Sequence, residues 1–249
     1  MNLELDQHFL LNKKILNLTI KESDIKKEDI IFEIGAGEGA LTKQLIKTSA
    51  KKIICVEKDL KLNKELSKNK AENLEIIFED AIKKIDKHLF SKLIANIPYS
   101  ITEPLYIKML ELEVKFAILL QGKKFYDLVY NNNSKWHYFI NSFYDIKLLC
   151  EVNGDSFEPS TKTKSVLIKL TQKKKFSKKD LFFQNLFKKQ KRNTKNALLF
   201  ALVDTYKIPK KDVSREIENM IFPNKKLESL SNKEFLEIIT ALKQQNFSL

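Results

Sequence analysis

The chain predicts an α/β fold: a mostly parallel sheet covered by helices on both faces, followed by a small helical domain. Three observations lead there. Apolar runs of strand length alternate with helix-length amphipathic stretches between residues 30 and 170. A glycine-rich turn, Gly35-Ala36-Gly37-Glu38-Gly39, joins the first such run to the helical stretch after it. Beyond a lysine-rich linker at residues 172–175, only helical patterns remain.

Taken in order, a Gln7-His8-Phe9-Leu10 segment leads into a helix with Ile15, Leu16, Leu18 and Ile20 on its apolar side. Strands are expected at residues 30–34, 52–57, 74–78, 93–95, 115–120, 146–152 and 165–170, runs rich in apolar residues and of strand length. Amphipathic spacing predicts helices at 40–47, 60–70, 104–112, 123–130 and 136–144. Thr102 is expected to cap the helix after the fourth strand, with Pro104 in its first turn. The last two strands are joined by residues 153–164 without a helix, which suits an antiparallel hairpin at the sheet edge. Further on, Ser177 with Asp180 and Ser231 with Glu234 have capping-box spacing, and Pro209 and Pro223 mark breaks between helices. The expected division is a sheet domain at residues 1–173 and a helical domain at 174–249, with no internal repeat.

Composition narrows the function. A net charge of +13 and a pI near 9.4 point to a polyanionic partner, nucleic acid or an anionic surface, although lysine is spread along the whole chain. With 43% hydrophobic and 31% charged residues the chain reads as soluble and globular. No apolar run reaches the ~18 residues of a membrane helix, and the first residues lack the apolar centre of a signal peptide. Cys55 and Cys150, with His8, His88 and His137 scattered, make neither a zinc site nor a disulfide framework. A reducing cytoplasm is expected, where the Asn132-Asn133-Ser134 triplet carries no glycosylation meaning.

The chemistry gathers at the carboxyl ends of the predicted strands, where open α/β sheets bind ligands. In Asn96-Ile97-Pro98-Tyr99 an amide, a rigid turn and an aromatic ring follow the fourth strand. The Asn96 oxygen and a backbone carbonyl held by Pro98 can accept from the NH2 of an amino-bearing ring, and Tyr99 can lie against its face. The same tetrapeptide also makes an ordinary turn. Gly35 and Gly37 let the backbone approach a ligand closely. Glu57, ending the second strand, can accept from ribose hydroxyls, and Asp80, after the third, from an adenine amino group. Either acid alone reads equally well as a solvated strand end. Together, with no Lys-Ser/Thr after the glycines to grasp phosphate, they describe an S-adenosylmethionine pocket.

Gln7-His8-Phe9-Leu10, the glycine loop, Glu57, Asp80, Asn96 to Tyr99 and Phe157-Glu158-Pro159 occur in an order that resembles the rRNA adenine N6-dimethyltransferase family. That family comprises the small-subunit dimethyladenosine transferases and the related macrolide-resistance methylases. The resemblance covers nearly the whole chain, with Lys164-Ser165-Val166 and the stretch from Leu186 to Asn196 as later blocks. It implies a class I, Rossmann-like methyltransferase with a seven-stranded sheet and a helical C-terminal domain. It also implies cofactor contacts at His8, Leu10, Gly35, Glu57, Asp80 and Asn96. Two departures stand out. Asp6 replaces the usual glycine before Gln7, bearing on the N-terminal cofactor flap, and Trp136-His137 replaces the usual tyrosine-glycine, bearing on a surface near the RNA.

The expected reaction needs no protein base. Asn96 and a carbonyl at Pro98 orient the adenine N6, and the methylated nitrogen loses its proton to water. His88 and His137 are then surface or packing residues. Tyr99 and Phe157 are expected to stack on a base taken out of its helix, with a core phenylalanine as the alternative at Phe157. Lys188, Lys189, Lys191, Arg192 and Lys195 are expected to meet phosphates, with a solvated helix face as the alternative. The implied substrate is two adjacent adenines in the 3′-terminal hairpin of rRNA, within a small ribosomal subunit or its precursor. The expected enzyme is monomeric, with no metal and no membrane. The competing readings are a large-subunit methylase of the macrolide-resistance type and a non-catalytic RNA-binding factor.

Overall fold

The computed structural model describes residues 8–86, 89–131, 133–245 and 247; Asp6, Gln7, His88 and Asn132 lie outside the described residues. The chain forms two compact units, Met1–Tyr126 with Asp145–Gln172, and Asp127–Tyr144 with Lys173–Leu249.

The first unit begins with β1 (Phe9–Leu10), α1 (Lys13–Ser23), β2 (Ile30–Ile34), α2 (Thr42–Leu45), β3 (Lys52–Glu57) and α3 (Asn63–Leu66). It continues with β4 (Leu74–Phe78), α4 (Ala81–Lys84), β5 (Lys92–Asn96), α5 (Thr102–Glu111) and β6 (Phe116–Gly122). α6 (Lys123–Tyr130) and α7 (Lys135–Phe143) lead to β7 (Tyr144–Val152), β8 (Phe157–Glu158) and β9 (Ser165–Gln172). Seven strands form one sheet in the order β4-β3-β2-β5-β6-β9-β7. The first five of these pair in parallel, and β9 runs antiparallel to β6. β2, β3 and β5 are mostly buried along their length, so their sequences are near-continuous apolar runs, interrupted in β2 by Glu33 and polar only at the ends of β3 and β5. Chain order reverses beside β2, with β3 on one side and β5 on the other, which opens a ligand crevice at the strands' carboxyl ends.

Helix lengths depart from the sequence pattern where side chains take over backbone acceptors. α2 is a single turn, shorter than the expected 40–47, and just past it the Thr48 hydroxyl donates to the Leu45 carbonyl at 2.6 Å. Residues 60–70 give a 3₁₀ turn, Leu60–Leu62, and the short α3, after which the Asn69 amide donates to the Leu66 carbonyl at 2.8 Å. Thr102 is the first residue of α5 and not its cap; the 3₁₀ turn Tyr99–Ile101 leads in, and no side chain caps the helix. β1 and β8, absent from the sequence reading, form a two-stranded antiparallel ladder pairing Phe9 with Glu158 and Leu10 with Phe157.

The second unit packs α7 with α8 (Lys178–Lys188), α9 (Thr194–Tyr206), α10 (Lys210–Glu216) and α11 (Asn232–Lys243). Both capping boxes, Ser177 with Asp180 and Ser231 with Glu234, are complete. Its core is aromatic: Tyr138 lies 4.6 Å from Phe183, Phe139 5.4 Å from Phe235, and Phe143 6.0 Å from Phe187, centroid to centroid. Trp136 is buried in this unit rather than on a surface. His137 Nδ1 sits 2.9 Å from the Val129 carbonyl, and burial pushes the imidazole pKa down.

Candidate active site

The glycine loop is tied to the neighbouring strand before it meets any ligand. Gly35 N donates to the Val56 carbonyl at 2.9 Å. Gly37 has φ +58°, and a Cβ there would come within 3.0 Å of the Phe9 ring, so backbone and neighbour both require glycine. Gly37 N donates to Glu57 Oε2 at 2.8 Å, while Oε1 accepts from Lys58 N and Asp59 N, each at 2.8 Å. A carboxylate offers about four acceptor directions. Three are taken by backbone, and the spare one is on Oε2.

Behind the loop, Glu33 is a second buried acid. It is 1% exposed, and its Oε2 accepts from the Thr42 hydroxyl and from the Cys55 thiol, each at 2.8 Å. Burial pushes the Glu33 carboxyl up to about 7, against those two hydrogen bonds that lower it. Burial, followed by the nearby Glu33 charge, pushes the Cys55 thiol up as well.

Asp80 caps α4 through Oδ1, which accepts from Ile82 N at 3.0 Å; its Oδ2 is 3.5 Å from Lys58 Nζ. Asn96 ends β5, and its Nδ2 donates to the His8 carbonyl at 3.4 Å, which leaves Oδ1 as the amide's acceptor. His8 is held in turn by Nδ1, 2.9 Å from the Pro159 carbonyl. His8, Leu10, Gly35, Gly37, Glu57, Asp80, Asn96 and Pro98 all line one cavity of about 410 Å³, within the range of about 300–1,000 Å³ usual for small-molecule sites. The residues present fit S-adenosylmethionine: acidic acceptors at the ends of β3 and β4, a glycine seat that a side chain would fill, and no phosphate-grasping pair after the glycines.

The model of the family described as "Ribosomal RNA adenine dimethylase" matches residues 1–244. The chain belongs to this family. A "Probable ribosomal RNA small subunit methyltransferase A" of Methanococcus maripaludis strain C6 is 34% identical over 212 residues, covering 81% of this chain and 80% of that protein. The "Ribosomal RNA small subunit methyltransferase A" of Thermotoga neapolitana is 32% identical over 204 residues, 78% of each chain. Among solved structures, a dimethyladenosine transferase from Plasmodium falciparum has a TM-score of 0.65 at 29% identity, covering 96% of this chain and 100% of that one. The 23S rRNA methyltransferase ErmE shares the fold, with a TM-score of 0.61 at 17% identity over 95% of this chain and 100% of that one. Methyl transfer from S-adenosylmethionine to adenine in rRNA is thus the reaction class of this rRNA adenine dimethylase homologue.

Two sequence expectations change at the site. Phe157 is 4% exposed in the apolar cluster with Leu10, Leu16 and Leu120, and it does not line the cavity. It supports β1 from within the core and has no free face for a base in this conformation. Lys189 is paired with Asp204 on α9, which draws it away from the cationic group expected around it. Lys188, Lys191, Arg192 and Lys195 are exposed, with the Arg192 guanidinium over the Phe200 ring at 5.0 Å. Tyr99 is half-buried, its hydroxyl 2.8 Å from Ser165 Oγ.

The sequence reading passed over Phe9, Lys58, Ser100 and Ile101, which also line the cavity. Each adjoins a residue that was singled out, and that adjacency was the available signal. Among the described residues, no group of three or more His, Cys, Asp and Glu side chains could hold a metal ion, and no helix is long and apolar enough to cross a membrane.

Proposed function

We propose that this chain dimethylates N6 of two adjacent adenines in the 3′-terminal hairpin of small-subunit rRNA, acting as a cytoplasmic monomer on the subunit or its precursor. The observation that carries the reading is the Asn96 amide, whose Nδ2 is engaged by the His8 carbonyl beside the cavity. That contact orients Oδ1 to accept an N6–H. The small-subunit methyltransferases among the relatives support the choice of subunit.

When bound, S-adenosylmethionine supplies a methyl electrophile on a positively charged sulfur. His8, Leu10, Gly35 and Gly37 would hold it, with Glu57 Oε2 accepting from a ribose hydroxyl and Asp80 Oδ2 from the adenine amino group. The Pro98 carbonyl accepts from Ile101 N at 3.1 Å and keeps a second lone pair. Asn96 Oδ1 and that carbonyl together draw the two N6–H bonds out of the ring plane, which concentrates the nitrogen lone pair toward the incoming methyl. Positioning of this kind supplies much of the rate. The N6 proton then leaves to water, and no side chain need act as base. Tyr99 covers one face of the base. Its stacking returns roughly 1–3 kcal/mol against a flipping cost of a few kcal/mol, which suits a base already unpaired in a hairpin loop. Lys188, Lys191, Arg192 and Lys195 supply phosphate contacts that position the RNA without base chemistry.

Mapping methylated adenines in rRNA from cells with and without the protein tests this directly. The expected loss is of two adjacent dimethyladenines near the 3′ end of small-subunit rRNA. Loss confined to large-subunit rRNA would overturn the choice of substrate, and no loss in either subunit would favour a non-catalytic role.

A further inference from the structure

We propose that Gly122 and Ser165, a facing pair on β6 and β9, form a seat that holds the Tyr99 ring in the orientation needed to stack on the target base. The proposal rests on the reading of Tyr99 as the stacking face and names the residues that position it. Gly122 and Ser165 are direct partners in the antiparallel β6–β9 register. Ser165 is 1% exposed, and its Oγ is 2.8 Å from the Tyr99 hydroxyl. A Cβ on Gly122 would lie 3.2 Å from Tyr99 Cδ1 and 3.4 Å from Cε1. The positive-φ glycines are Gly35, Gly37 and Gly39, so Gly122 is not required by its backbone conformation. Its missing side chain is instead the clearance that lets the ring lie on the strand.

The physical need is clear from where Tyr99 stands. It opens the 3₁₀ turn Tyr99–Ile101 after Pro98, and turn geometry alone does not choose one ring orientation. The Ser165 hydroxyl fixes the far end of the ring, and the Gly122 backbone supports its edge. The His8 ring stands 6.5 Å away, centroid to centroid, tilted by 36°. A tyrosine held at its hydroxyl is pre-organised for a planar ligand, and pre-organisation lowers the cost of binding. Gly122 and Ser165 are positioning residues; neither lines the cofactor cavity.

The test is a double-mutant cycle on single-turnover methylation of ribosomal subunits purified from cells lacking the protein. Tyr99→Phe and Ser165→Ala remove the same hydrogen bond from opposite ends. Each should slow methyl transfer by about fivefold, the worth of one net hydrogen bond, and the double variant should be no slower than either single one. Gly122→Ala should slow it by about tenfold or more by pressing on the ring. In all of them the affinity for S-adenosylhomocysteine should stay near wild type. The thermal midpoint should fall by only about 2–4 °C in Tyr99→Phe and Ser165→Ala, the loss of one net hydrogen bond. General damage to the sheet would weaken both much further. Tyr99→Phe is isosteric, so it keeps the proposal testable even if Ser165→Ala unfolds. Wild-type rates in Tyr99→Phe and Ser165→Ala, or losses that simply add, would overturn the seat while an inactive Tyr99→Ala left the stacking reading standing. A fully active Tyr99→Ala would overturn the stacking reading and the seat with it.

Discussion

Glu57→Gln separates two duties of one carboxylate. Glu57 is 7% exposed and accepts three backbone N–H bonds, one on Oε2 from Gly37 and two on Oε1 from Lys58 and Asp59. A glutamine has one acceptor oxygen. Keeping it toward Lys58 and Asp59 sets an NH2 against the Gly37 N–H, donor against donor; the opposite rotamer loses two bonds. The smaller loss is one charge-assisted hydrogen bond, about 1.5–3 kcal/mol. In a domain of this size that lowers the thermal midpoint by about 3–12 °C. The spare acceptor on Oε2 disappears in the same exchange, so S-adenosylhomocysteine should bind about 10- to 100-fold more weakly. Thermal unfolding of the ligand-free protein reads the first effect, and calorimetric titration the second. A lowered midpoint with unchanged affinity would refute the ribose contact. Weakened affinity with an unchanged midpoint would refute the claim that Glu57 anchors the glycine loop.

Asn96→Ala should reduce single-turnover methylation by about 100-fold, with a much smaller effect on RNA binding; a rate near wild type would remove the amide from catalysis. Gly37→Ala sets a Cβ 3.0 Å from the Phe9 ring at φ +58° and should weaken cofactor binding by displacing β1, which calorimetry would detect. Glu33 titrates at about 7 in the fold against an ordinary 4.5, so the folded chain holds its proton more tightly than the unfolded chain does. The stability this contributes is complete below pH 4.5 and is lost as pH rises to about 7, a change on the order of 3 kcal/mol that Glu33→Gln should remove from urea titrations over that window. For RNA affinity, Lys191→Ala, Arg192→Ala and Lys195→Ala should each shrink the slope of log affinity against log salt by about 0.7–0.9. Lys189→Ala should change it less, because Asp204 already neutralises that cation; equal slopes for all four would contradict this.

The parts that were legible in the sequence are those decided by local chemistry. β2, β3 and β4 span the expected residues 30–34, 52–57 and 74–78, because each is dominated by β-branched and other apolar residues over a strand's length. Both capping boxes were readable because hydroxyl and carboxylate sit three residues apart and satisfy each other. Glu57, Asp80 and Asn96 stand out as candidates because they recur at or just past the ends of three parallel strands, although either acid alone would read as a solvated strand end. The helices at 40–47 and 60–70 were overdrawn because apolar periodicity continues past the point where Thr48 and Asn69 take backbone carbonyls. β1 and β8 are two residues each, too short to show any period. Residues 136–144 read as one more helix of the sheet domain, since nothing in their own pattern says that their rings pack with Phe183, Phe187 and Phe235.

What escaped the sequence depends on pairing between distant segments. Phe157 carries the residue type and the position of a base-stacking ring, and only the pairing of β8 with β1 shows that it packs beside Leu10 in the core. Lys189 belongs to a cationic run until α9 folds back and brings Asp204 to it. Gly122 is unremarked in sequence, with no turn beside it and no positive φ. It acquires a role only because the β6–β9 register sets it opposite Ser165 and beneath the Tyr99 ring. One register shift in that ladder would put Val166 or Lys164 in the place of Ser165, and neither suits the seat: valine has no polar group to offer, and lysine ends in a longer, charged ammonium that cannot accept a hydrogen bond. On the proposed reading, the chemistry of a base site is written in Asn96 to Tyr99, while its geometry depends on the antiparallel pairing of β6 with β9.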